Sequence, residues 1–163
     1  MDWWFFREGT EVEARDYLAR FLDEGAAAAE GFGAAADLSV ASVPEVVELL
    51  RGQVELVDAP PPDDSPAWVR EVVTESGAGF RDFAEGSRSC VLRAAYYLGA
   101  SFVTTYPVLH WELGAPDTPE VRQPVVTGFG SGDDLPVLRT AEALLAGGDP
   151  GETLARWREA VSG

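Results

Sequence analysis

The chain contains no lysine: all twelve basic residues are arginine, set against twenty-eight acids. The formal net charge of −16 repels phosphate backbones. That disfavours general nucleic-acid binding; the charge serves simple solubility, the blander reading, and also allows a basic protein partner. The missing lysine, beside abundant alanine and glycine, points to a GC-rich coding sequence and says nothing about function. Cysteine occurs once, at Cys90, so no internal disulfide can form, and a reducing cytoplasmic setting is expected. Histidine also occurs once, at His110. One His and one Cys do not make a usual zinc set, so no metal or other cofactor is expected. No apolar run approaches the ~20 residues of a membrane span. The start, MDWWFFREG, has only four consecutive apolar residues, led by an acid instead of a basic segment, which is not a signal-peptide pattern. Trp3, Trp4, Phe5 and Phe6 are expected to close onto the core instead of entering a membrane.

What is present is enough for one folded domain. A chain of 163 residues buries roughly 70% of its unfolded surface, which needs neither metals nor disulfides for a core. One domain, 1–163, is expected, with an exposed proline-rich loop at about 55–65 around PPPDD.

The first helix starts at Thr10, which with Glu13 forms a capping-box signature. Val12, Ala14, Tyr17, Leu18, Phe21 and Leu22 make its apolar stripe, and Gly25 predicts an end near Asp23 or Glu24, with a weak helical piece following. Asp37-Leu38-Ser39 reads as a short extended piece. Ser42 as cap, Pro44 and Glu45 then predict a helix burying Val46, Val47, Leu49 and Leu50 and ending at Gly52. Ser65-Pro66 predicts another start, with Trp68, Val72, Phe80 and Phe83 sharing a face unless Gly77 and Gly79 break it.

The stretch Ser89–Leu113 organises the rest. Val91, Ala95, Leu98 and Phe102 recur at helical spacing, with Leu92, Gly99 and Val103 beside them, so this helix is expected to be buried on more than one side. Gly99 costs about 1 kcal/mol against alanine in mid-helix, which predicts close approach by another element. After Pro107, Leu109–Leu113 alternates as a strand, and QPVVTGF returns antiparallel to it. Helices or a third strand must cover this pair, and Asp37–Ser39 or the N-terminal aromatic run could supply the strand. Two capped helices close the chain, from Asp134 to Gly148 and from Asp149 onward. The sum is an α+β, mostly helical single domain with a small antiparallel sheet.

Candidate chemistry is sparse. Cys90 and His110 invite a thiol–base pair, yet no glycine-rich elbow surrounds Cys90, and free cysteine commonly packs as a small apolar residue. Asp63-Asp64 and Asp133-Asp134 lack calcium-loop spacing. Gly128–Asp134 lacks the Lys-Ser/Thr ending of a phosphate loop and carries acids that repel phosphate. No catalytic residue is assigned. Tyr96 and Tyr97 are adjacent, so at most one points into the core. Tyr97 with His110 and Glu112, on the polar face of the strand, is the ligand-binding groove the sequence offers.

The order Asp37-Leu38-Ser39, Ser42, a short helix ending at Leu50, Tyr97-Leu98-Gly99 and Trp111 on a strand resembles a group of small uncharacterised bacterial domains. The resemblance covers about Ala35–Gly148. Those domains often carry Gly-Glu after Tyr-Leu where this chain has Gly99-Ala100, and here Pro60–Phe83 is inserted. The resemblance implies a fold and no reaction. The expected function is therefore a non-catalytic cytoplasmic interaction or regulatory domain, immunity-like in presenting acid to a basic protein. The alternatives are a small-ligand binder or enzyme at Tyr97, His110 and Glu112, and a self-associating structural subunit exposing Trp3–Phe6.

Overall fold

The computed structural model describes Phe6 and residues 9–33, 36–59 and 80–163. Within them the architecture is α+β and mostly helical. In chain order the elements are α1 (Glu11–Ala29), α2 (Val43–Arg51), β1 (Leu56–Ala59), β2 (Phe80–Phe83), α3 (Arg88–Thr105), β3 (His110–Leu113), β4 (Pro124–Thr127), α4 (Val137–Leu145) and α5 (Pro150–Ser162). Residues Trp3, Trp4, Phe5, the PPPDD segment, Trp68, Val72, Gly77 and Gly79 lie outside the described residues.

Helix α3 is the spine. Its buried residues run from Cys90 to Phe102, and α1, α2, α4 and both strands of the β3–β4 pair pack on it. One hydrophobic cluster joins Phe6 and Phe21 of the N-terminal side to Leu154 and Trp157 of α5.

Local signals act as the sequence implies at several ends. Thr10 accepts the Glu13 amide while the Glu13 carboxylate accepts the Thr10 amide at 2.7 Å, and these hydrogen bonds hold the Glu13 carboxyl below its usual range. The Asp149 carboxylate caps α5 by accepting the Gly151 and Glu152 amides. Strands β3 and β4 pair antiparallel, with Trp111 opposite Val126.

Elsewhere tertiary contacts override local propensity. Helix α1 runs through Gly25 to Ala29. The glycine is kept because the Tyr96 ring lies where its side chain would be: a Cβ there would fall within 3.0 Å of three Tyr96 atoms. Val12 and Leu49, both expected inside, are 69% and 47% exposed, so the buried stripes are narrower than the apolar pattern. Residues 56–59 leave the expected loop and 80–83 the expected helical face; they pair antiparallel as a second small sheet, with Leu56 opposite Phe83. Asp37–Ser39 is no strand. Leu38 has φ of 56°, a left-handed conformation that extended pairing does not allow. Among the described residues, what lies beside β4 is a single bridge, in which Leu135 and Val126 exchange both backbone hydrogen bonds at 2.8 and 3.1 Å.

Ser42 stands at the cap position of α2 but does not cap it. Its hydroxyl donates to the Ser39 carbonyl at 2.8 Å, which leaves the oxygen to accept from the Tyr97 hydroxyl at 2.7 Å. The Tyr97 oxygen in turn accepts the Leu38 amide at 3.1 Å. This chain of hydrogen bonds ties a strained loop to the spine and satisfies a phenol that is 1% exposed. Tyr97→Phe should therefore cost about 1–3 kcal/mol, because it strands the Leu38 amide and removes the partner of Ser42. A urea midpoint equal to that of the unaltered chain would show that water replaces the phenol.

Candidate functional site

The three residues that the sequence groups as a groove do not converge. His110 and Glu112 are exposed on the outer face of β3. Trp111 of that strand packs onto Gly99, where a Cβ would meet three indole atoms within 3.0 Å. Tyr97 and Gly99 are about 200° apart around a helix, so Tyr97 faces the opposite side, toward α2 and the edge of Phe32 at 5.5 Å. Its neighbour Tyr96 takes the β3 side, stacked on Trp111 with ring centroids 6.2 Å apart. Of the adjacent pair, the fully buried ring is thus Tyr97.

Cys90 is buried in the first turn of α3. Gly99, where β3 crosses, lies nine residues further along, roughly 14 Å at the rise of an α-helix. Cys90 and His110 therefore do not form a dyad. The 128–134 loop is anchored, since Phe129 packs on Phe102 and Trp157 and the Ser131 amide donates to the Ala160 carbonyl. Asp133 and Asp134 are exposed on its outer side, and α4 begins beyond them without a side-chain cap. Among the described residues no group of three or more His, Cys, Asp or Glu side chains is placed to hold a metal ion.

The concave feature the sequence does not single out lies between α1 and the first turns of α3. It is a cleft of about 340 Å³ lined by Tyr17, Arg20, Phe21, Glu24, Gly25, Ala28, Ser89, Leu92 and Arg93. Its floor is shallow at Gly25 and Ala28 because α1 carries almost no side chain there. A second hollow of about 310 Å³, reaching Phe6 and Ala14, meets it at Tyr17 and Arg20. Arg93 is held with its guanidinium 4.6 Å above the Phe32 ring. The only hint in the sequence was the Gly/Ala-rich end of α1, which read there as fraying.

Tyr17 stands between the two hollows, edge-on to Phe6 at 4.8 Å. Burial pushes its hydroxyl up to about 12, against the pull of nearby Arg20; burial also raises Tyr96. An unfolded tyrosine ionises near 10. Between about pH 10 and 12 the unfolded chain therefore binds fewer protons than the folded one. Stability from this group is intact below pH 10 and is lost as pH rises toward 12. Tyr17→Phe should make the alkaline decline shallower and remove the last phenolate absorbance step. Parallel declines in the two proteins would assign that step to another tyrosine.

Together these features define a mostly helical α+β protein with a cleft beside its first helix. Among the described residues no helix is long and apolar enough to cross a membrane. Comparison with family models, with curated proteins and with solved structures gave no match.

Proposed function

We infer that this protein is a non-catalytic interaction domain whose acidic surface meets a basic protein, in the manner of an immunity protein acting in the cytoplasm. The observation that carries this reading is where the acids lie. Among the described residues the buried polar groups are two serines, Ser87 and Ser101, and no carboxylate is buried. The negative charge therefore does no work in the core and is displayed outward. Along α1 and its extension Glu11, Glu13, Asp16, Asp23, Glu24 and Glu30 are all exposed. Asp16 and Asp23, seven residues apart, share the face opposite buried Ala14 and Phe21. Such a surface steers a cationic partner and makes its capture salt-sensitive.

The resemblance to small uncharacterised bacterial domains fits this reading. The residues that carry it make two sets of contacts on opposite sides of α3, Leu38 and Ser42 with Tyr97, and Trp111 with Gly99. They act as a packing signature, which supports a shared fold and no shared reaction.

The test is affinity capture with the unaltered chain and with the triple variant Asp16→Lys, Asp23→Lys, Glu30→Lys. One basic protein should be held by the unaltered chain at low salt, released at high salt and missed by the variant. Equal retention by both, or retention by neither, would overturn the reading.

A further inference from the structure

We propose that the cleft between α1 and the start of α3 binds a small monocarboxylate with an apolar body, its carboxylate held between Arg20 and Arg93. The first support is shape. At about 340 Å³ the cleft lies at the lower end of the range for small-molecule sites, and Tyr17, Phe21, Leu92 and Ala28 give it mostly apolar walls. The adjoining hollow, shared through Tyr17 and Arg20, extends the apolar path toward Phe6.

The second support is charge, and it runs against the protein as a whole. The chain has more than two acids for each arginine, and three of its arginines are paired with carboxylates. Arg15 pairs with Glu11, Arg139 with Glu120, and Arg51 with Glu48. Arg20 and Arg93 make no ion pair within the described residues, yet both line this one cleft. Arg93 is already held over Phe32, so its N–H fork is positioned before any ligand arrives. Glu24 also lines the cleft and opposes an anion. Two guanidinium groups against one carboxylate leave one local positive charge, which matches a singly charged carboxylate better than a phosphate. Ser89, on the α3 side, adds a hydroxyl.

The probe is decanoate, titrated calorimetrically into the full chain, with decanol and decyltrimethylammonium as neutral and cationic controls. Decanoate should bind saturably, shift the amide resonances of Gly25, Ala28 and Ser89, and bind about tenfold tighter than decanol. Arg20→Gln and Arg93→Gln should each weaken decanoate about tenfold while leaving decanol nearly unchanged, the size expected for losing one charged hydrogen bond. Ala28→Trp, which fills the floor, should weaken both. Absence of saturable decanoate binding, equal affinity for decanol, or shifts confined to other residues would overturn the proposal. Should Ala28→Trp fail to fold, the exposed Arg20 still decides the matter, because its substitution removes no buried group. The charge-reversed α1 variant leaves every cleft residue in place, so this proposal and the interaction reading fail separately.

Discussion

Replacing Gly99 by alanine should destabilise the protein, although alanine is by far the better helix former. In an exposed helix that change gains about 1 kcal/mol. Here a single Cβ would lie within 3.0 Å of three atoms of the Trp111 indole. The ring has little room to retreat. It is stacked on Tyr96 at 6.2 Å and meets the edge of Phe21 at 5.7 Å. Tyr96 is itself pressed against Gly25 of α1. Two glycines on two helices thus hold two stacked rings between them, and relief at one end is blocked at the other. Overpacking of this kind costs about 1–3 kcal/mol, and Gly99→Leu should reach the upper part of that range.

The packing cause can be separated from any backbone effect. Trp111→Leu should destabilise alone, by leaving a cavity. Combined with Gly99→Ala, it should cost less than the two changes added, by about 1 kcal/mol or more, because the smaller side chain vacates the space the new methyl needs. Unfolding in urea measures all three variants. A Gly99→Ala protein as stable as the unaltered chain would mean that β3 does not press on α3.

Arg51→Ala should cost about 2–3 kcal/mol. Arg51 ends α2, yet its guanidinium reaches the far end of α4, ninety-three residues on in sequence. Its Nε and Nη2 donate to the Leu144 carbonyl at 2.8 and 2.6 Å, and Nη2 also donates to the Gly148 carbonyl. The last carbonyls of a helix have no partner within it and carry its negative end, so a half-buried cation there satisfies both needs. Hydrogen bonds from a charged donor contribute about 1.5–3 kcal/mol; without it the Leu144 carbonyl is left with the Gly147 amide, at 3.2 Å.

Arg51→Lys should recover only part of the loss, since an ammonium keeps the charge without the planar fork. Glu48→Gln is the control. The Glu48 side chain is 62% exposed and its pairing with Arg51 is a surface contact, so it should change stability by no more than about 0.5 kcal/mol. If Arg51→Ala and Glu48→Gln move the urea midpoint alike, the bonds to α4 contribute nothing.

The sequence by itself determined what depends on residues within a turn or two of one another. The capping box at Thr10, the cap at Asp149, the long apolar period of α3, the Leu109–Leu113 alternation and the antiparallel return to Thr127 were all legible, because each is a local pattern with a local cause. The demand of Gly99 for a close neighbour was legible too, and Trp111 meets it. The tertiary structure alone decided the rest. Gly25 reads as a helix end until Tyr96 fills the space beside it. Ser42 reads as a cap until the Tyr97 phenol, fifty-five residues away, takes its hydroxyl. The β1–β2 pair, the reach of Arg51 to α4 and the meeting of Arg20 with Arg93 in one cleft likewise join segments far apart in the chain. A side chain's propensity is local, but its partner is set by which faces the folded helices bring together. For that reason the spine could be read from Ser89–Leu113 while the candidate site beside it could not.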